Sequence, residues 1–481
     1  MPTNQESKII MFIMNNISQT PYQLLISRFT IKSLKEIYSK KIKLNKTKGV
    51  DRLNGIQFER QSKQQIKVIH EKCLAGTYKF SPYLELLRSK GRGKFPRILA
   101  IPTVRDRIVL CALKEILFEI FSDAVQRELA NTYIYNISDY MKDKDPSNVG
   151  IFRADIQDFY PSIDRSILMK ILNSRIKSNK ILTLIKRAIE TPIVPQNYRK
   201  IDFDKYLEDK GIPQGLSVSN ILASIYLIEV DKFMKSYTYF RYVDDILIFT
   251  TKCELTKAEE DLKTKIKELK LSFNDYKTSS IMGNEEFEYL GYRFAFPKVT
   301  VRQSSVEKFL NSITAKFSKY IHTRNIRLKK FDKDQLKRMF ILGINEKITG
   351  AISGDKRYGW IFYFSAINDL SVLHKLDKIV ASLFDRLVDF NESPPADLKK
   401  LSRAYYEAKY SPTSGYIYNY NNNETVTAKS NFLIERGKLD PSEVKSKSDE
   451  EIIAFYEYVK QKNLSELQRD DAHVYQGVVI K

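Results

Sequence analysis

The sequence predicts an α+β fold, a small antiparallel sheet backed by helices, and three features carry that prediction. Tyr239-Phe-Arg-Tyr-Val-Asp-Asp-Ile-Leu-Ile-Phe-Thr250 sets Asp244 and Asp245 between two aromatic and β-branched runs, the composition of paired strands. Apolar residues at 108, 109, 112, 113, 116 and 117 draw one face of a helix. Between residues 151 and 296 the order is strand, helix, long helix, Asp-Asp hairpin, helix, strand.

Composition sets the bounds. A chain of 481 residues has room for two or three domains. With 43% hydrophobic and 12% aromatic residues it can build real cores, despite 29% charged residues. The balance of 80 Lys+Arg against 58 Asp+Glu, net +22, argues for a polyanionic partner, most simply nucleic acid. The basic residues are spread along the chain, which disfavours a membrane-surface helix. Cys73, Cys111 and Cys253 show neither zinc spacing nor a disulfide framework, so a reducing cytoplasm is expected. Four histidines leave little material for His-based metal or nuclease sites. The longest apolar stretch, 221–230, is too short to span a bilayer.

Taken in order, residues 1–95 read as basic and helical, with a Gly-containing turn at 48–55. A basic loop, Lys90-Gly-Arg-Gly-Lys-Phe-Pro-Arg97, leads to a strand at 98–101. Residues 151–156 read as a strand ending near Asp155. Asp164 suits a helix cap, and helix is expected over 166–190. Gly211-Ile-Pro-Gln-Gly-Leu-Ser217 opens onto an apolar helix, 221–235. Capping boxes are expected at Thr256/Glu259 and Ser304/Glu307, and strands at 271–273 and 287–296. From Val306 to Ile321 the apolar period is 3.6. Leu373, Leu376, Val380, Leu383 and Leu387 suit a bundle core, or else a face for homo-oligomerisation. Residues 396–481 read as a polar extension, with a loop at 411–424.

The chemistry concentrates in two acidic clusters. Asp155 ends one strand, and Asp244 and Asp245 sit at a hairpin tip. The pair at the tip is also ordinary turn chemistry, so a plain surface turn is the competing reading. If the two strands are neighbours in one sheet, about 4.8 Å apart, their carboxylates can share metal ions. Two Mg²⁺ about 3.5–4 Å apart are the usual device for in-line phosphoryl displacement, and carboxylates without histidine suit Mg²⁺, with Mn²⁺ as its alternative.

Six motifs, in order, resemble those of bacterial reverse transcriptases, the group that includes intron, retron and phage-defence enzymes. They are Arg97–Pro102 with Arg105-Asp-Arg107, Asp155-Ile-Gln-Asp-Phe-Tyr160, Ile212-Pro-Gln-Gly-Leu-Ser217, Tyr242-Val-Asp-Asp245, Asn274-Asp-Tyr-Lys-Thr278 and Tyr289-Leu-Gly291. The resemblance covers roughly 48–300. It implies a right-hand polymerase fold: an N-terminal extension and fingers over 1–150, a palm over 151–300 with a fingers segment at 175–210, a helical thumb over 301–395, and the extension 396–481. It implies an RNA-directed DNA polymerase with Asp155, Asp244 and Asp245 as catalytic metal ligands and the carbonyl of Ile156 as a further ligand. Tyr160 would exclude a 2′-hydroxyl. Backbone amides at Asp158 and Phe159 would meet the triphosphate, and Arg97, with Lys94, would neutralise it. Gln214 would lie against nucleotide and template, and Lys277 near the leaving pyrophosphate. Each has a plainer reading: Lys277 as a helix-end cation, Arg97 as an ion-pair partner, Tyr160 as core packing.

The sequence lacks the Asn-Ala-x-x-His and Val-Thr-Gly elements that retron enzymes usually show, a Cys- or His-based endonuclease and a recognisable RNase H segment. What remains is most similar to defence-associated, abortive-infection reverse transcriptases. That implies a noncoding RNA template, dNTPs, a DNA product and no membrane. Intron- or retron-type enzymes, a catalytically silent RNA-binding scaffold and an RNA-copying RNA polymerase are the alternatives. Tyr416, Tyr418 and Tyr420, in the polar tail, raise the idea of tyrosine priming, against the simpler reading of a loop.

Overall fold

The structure is a computed structural model that describes residues 19–472, apart from 90–92, 94, 126, 127 and 129. Lys94 therefore lies outside the described residues. Strands β1 (Tyr83–Arg88) and β2 (Arg97–Ile101) pair antiparallel, with Leu87 opposite Ile98. β1 lies in a region whose composition reads as helix; its branched Leu-Glu-Leu-Leu run is held as strand by pairing to β2. β3 (Val149–Asp155) belongs to a second sheet. A short β4 (Ile193–Val194) joins β1 in parallel. β5 (Thr238–Tyr242), β6 (Asp245–Thr251) and β7 (Ser279–Met282) complete the second sheet, in the order β5-β6-β3-β7.

The helix Val104–Ile120 shows why the apolar stripe decides. Ile108, Val109, Ala112, Leu113, Ile116 and Leu117 are all fully buried. Burial of each large aliphatic is worth about 1.5–3 kcal/mol, more than any helix-propensity difference between ordinary residues. Thr103 caps the helix by accepting from the Asp106 amide. Asp106 is itself buried, and accepts from the hydroxyls of Tyr78 and Thr103 and the amide of Ser81.

Several elements depart from expectation. The helix expected over 166–190 is two, Arg165–Arg175 and Asn179–Glu190, because buried Ile176 is extended between them. Asp164 caps the first as expected. The helix at 221–235 begins at Ser219 and breaks at Leu227. Residues 271–273 make a single bridge, Ile156 to Phe273, rather than a strand. The run 287–296 folds back on itself as β8 (Phe287–Tyr289) and β9 (Tyr292–Ala295), followed by β10 (Lys298–Val301). Neither expected capping box forms: the helices start at Leu255 and Gln303, which puts Thr256 and Ser304 inside the first turn.

The chain divides into two compact units. The first comprises Met1–Arg127, Phe152–Ile248 and Leu255–Ser279; the second comprises Glu128–Ile151, Phe249–Glu254 and Ser280–Lys481. In the second unit the helix Gln303–Arg327 buries Val306, Phe309, Ile313, Phe317 and Tyr320. Residues 396–472 are folded rather than a polar extension. They supply helices Leu401–Tyr410, Val426–Glu435 and Asp449–Ala472, and their Phe432, Leu433, Tyr456 and Leu467 share a core with Ala351. Leu373, Leu376, Val380 and Leu387 are buried within this unit and Leu383 is half-buried, so the stripe is core rather than a face for self-association. Among the described residues, no helix is long and apolar enough to cross a membrane.

Candidate active site

Asp155 is the last residue of β3. Its neighbour Ile156 donates its amide to the carbonyl of Asp244 at 3.1 Å, which fixes the end of β3 beside the tip of the β5–β6 hairpin. The carbonyl of Asp155 accepts from the Asn274 amide at 2.8 Å, and Gln157 donates to the Ser272 carbonyl. Three distant segments thus meet through backbone hydrogen bonds.

The hairpin turns at Val243-Asp244, and Asp245 starts β6. Val243 has φ +60°, a left-handed conformation that costs a β-branched residue strain. Buried Arg241 sits under the turn. It donates to the Val243 carbonyl at 2.8 Å and pairs through its guanidinium with Asp231. An arginine inside an apolar strand run is the sequence signal that would have found it.

The electrostatics are those of an under-neutralised acidic site. Burial, then the carboxylates of Asp155 and Asp245, push Asp244 up to about 6, against the pull of Lys277. Lys277 sits across Asp155, with its Nζ 2.9 and 2.8 Å from the two carboxylate oxygens. Arg153 Nε lies 3.9 Å from Asp245, which is largely buried. Among the described residues, no three acidic, Cys or His side chains converge as a metal cage. The donor set still suits Mg²⁺: all are hard carboxylate oxygens, and a cation would relieve the charge that raises Asp244.

After Asp155 the chain turns at Asp158 (φ +41°) into one helical turn, Phe159–Ser162. Tyr160 is 7% exposed and donates its hydroxyl to Asn220 Oδ1 at 2.6 Å. Burial, then Asp244, keeps that phenol protonated, against Arg97. The carbonyl of Tyr160 accepts from the Ile212 amide at 2.9 Å, which docks the 211–217 loop. The next residues of that loop meet β2: the Gln214 carbonyl accepts from the Ala100 amide at 2.7 Å. Gly215, at φ +106°, adopts a backbone that glycine favours and sits so close to β2 that a Cβ would stand 3.1 Å from the Ala100 oxygen. Arg97 begins β2, half-buried and opposite Arg88. The structure therefore gathers Asp155, Ile156, Asp244, Asp245 and Lys277 directly. It places Tyr160 within electrostatic reach of Asp244 and Arg97, with Asp158 and Phe159 beside it. Arg153, Asn220 and the Arg241–Asp231 pair were not legible as site residues.

Residues 89–294 match the reverse transcriptase (RNA-dependent DNA polymerase) family. Protein YkfC of Escherichia coli (strain K12) is 22% identical over 325 residues, covering 56% of this chain and 84% of that protein. Group II intron-encoded protein LtrA of Lactococcus lactis subsp. cremoris is 27% identical over 194 residues, covering 39% and 31%. An uncharacterized 91 kDa protein in the cob intron of Schizosaccharomyces pombe is 30% identical over 167 residues, covering 33% and 19%. The chain thus spans most of YkfC but less than a third of the intron proteins. The α+β, right-hand polymerase fold expected from the sequence agrees with the match over residues 89–294.

Proposed function

We propose that this chain is an RNA-directed DNA polymerase that extends a 3′-hydroxyl with dNTPs on an RNA template. The observation that carries the reading is the joining of Asp155 to the Asp244–Asp245 tip by the Ile156–Asp244 hydrogen bond, inside a segment that matches the family. Two Mg²⁺ held by Asp155 and Asp244, with Asp245 and the Ile156 carbonyl, would supply Lewis-acid activation of the attacking hydroxyl and of the leaving pyrophosphate.

The protein's own groups divide the remaining work. The Tyr160 hydroxyl is held by Asn220, and its ring would exclude a 2′-hydroxyl. Arg97 and the amides at Asp158 and Phe159 hold the triphosphate. Gln214 borders the nascent base pair. Lys277 leaves Asp155 to protonate pyrophosphate as it departs. Labelled dNTP incorporation on a primed RNA, by wild type and by Asp155→Asn, tests the assignment. Incorporation by the wild type alone is expected; equal incorporation by both would refute it.

For the biological setting, we take a noncoding RNA copied in anti-phage defence, on the resemblance and on the folded helical region that follows residue 395. The intron-encoded relatives favour a second reading, an intron-type enzyme. Sequencing the RNA that copurifies with the protein separates them: one discrete noncoding RNA for defence, intron RNA for the other.

A further inference from the structure

The long helix Gln303–Arg327 and the segment 396–481 together build a dense basic cluster that the catalytic reading does not use. Lys316, Lys319 and Arg327 lie within about 80° of arc on the flank of the helix's buried stripe, at 100° per residue. Lys316 and Arg327 are half-buried and Lys319 is exposed. From 316 to 327 the helix rises about 16 Å, the axial length of roughly five stacked nucleotides.

Two further cations are brought to this flank by packing. Gly437 comes so close to Met339 that a Cβ there would be 2.2 Å from its sulfur, at a backbone φ of +61°. Arg327 Nη2 lies 3.4 Å from the same sulfur. The next residue, Lys438, is therefore held beside Arg327. Lys462 projects from the helix Asp449–Ala472, whose Leu464 and Leu467 are buried against Phe432, Leu433 and Leu439.

The charges act on one another. Burial, then Lys462, Arg327 and Lys319, hold the Lys438 amine below its usual range, with Glu466 opposing. Burial also lowers Lys316, with Lys347 and Lys319 working against Glu466 and Glu346. Glu346 is already paired with Arg436. Among the described residues, no carboxylate lies within ion-pair distance of any of the five cations. Assembling them costs free energy in the unliganded protein, and a polyanion recovers it.

We propose that Lys316, Lys319, Arg327, Lys438 and Lys462 form a site for the phosphates of an RNA strand, so that the segment after residue 396 is part of the RNA-binding surface. Cations on long alkyl stems, three of them spread along about 16 Å of one helix, suit a repeating phosphate backbone better than a folded acidic protein. This deepens the RNA-copying reading but does not need its chemistry to be right.

The test uses the full chain, a 20-nucleotide single-stranded RNA and fluorescence anisotropy between 50 and 200 mM salt. The double variant Lys438→Ala/Lys462→Ala should lower the slope of log K against log salt by about 1.4, roughly 0.7 for each lost contact. Lys438→Arg/Lys462→Arg should bind as wild type does. In dNTP incorporation the alanine variant should raise the KM for template and leave kcat unchanged. An unchanged slope in the alanine variant, or a loss shared by the arginine variant, overturns the proposal; an acidic protein partner would give the first of these. A wild type that binds RNA with the expected slope but incorporates no dNTP would sink the polymerase reading and leave this one standing.

Discussion

Asp244→Asn should make the metal-free protein more stable, although it removes a side chain assigned to catalysis. Asp244 ordinarily titrates near 3.8, and in the fold it is pushed up to about 6 by burial and by the carboxylates of Asp155 and Asp245. At about 1.4 kcal/mol per tenfold change, keeping it ionised costs about 3 kcal/mol. The sign follows from linkage: the folded state binds the proton more tightly, so the cost is fully present above pH 6 and vanishes below 3.8. An isosteric amide carries no charge to repel. For a unit of this size, 3 kcal/mol corresponds to about 6–12 °C in Tm. The assay is thermal unfolding in EDTA at pH 8 and pH 4. Asp244→Asn should melt higher at pH 8 and level with wild type at pH 4. Saturating Mg²⁺ at pH 8 should narrow or reverse the gap, because only wild type keeps the full ligand set. A variant that melts no higher than wild type at pH 8, or a gap independent of pH, would refute the account of a mutually repelling site.

Two other outcomes follow from the same geometry. Tyr160→Ala removes the ring anchored on Asn220; discrimination against NTPs in competition assays should fall by roughly 10–200-fold, the range for small steric differences, and unchanged selectivity would remove its role as gate. Lys277→Met frees both Asp155 oxygens. Because Lys277 is half-exposed, the pair is worth only about 0.5–1 kcal/mol, so Mn²⁺ affinity measured by paramagnetic resonance without nucleotide should rise about two- to fivefold. Weaker or unaltered Mn²⁺ binding would show that the lysine does not compete with metal.

The C-terminal segment shows where sequence reading misleads. Tyr416, Tyr418 and Tyr420 sit among asparagines and have no apolar period, so they read as a loop. In the structure Tyr420 is buried, with its hydroxyl donated to Glu346 and accepting from Asn463. Tyr418 accepts from Asn423, and the Tyr416 hydroxyl accepts from the Lys400 amide. None is a free end presenting a hydroxyl for priming. The partners of Tyr420 lie 74 and 43 residues away in sequence, and no local pattern encodes that. Arg241 stands out as an arginine within an apolar run, but its pairing with Asp231, on another element, is not written in that run.

The chain's letters alone determined the acidic clusters, the aromatic after the first of them, the basic balance and the periodic faces, because each is a local matter of residue type and spacing. Burial of the 108–117 stripe was settled at that level. Tertiary structure alone decided that Ile156 and Asp244 are joined backbone to backbone, that Lys277 faces Asp155 and Arg153 faces Asp245, and that Lys438 and Lys462 come to the flank of the helix carrying Lys316, Lys319 and Arg327. Those facts depend on hydrogen bonds and Coulomb forces between groups far apart in sequence, which act only once the chain has closed on itself.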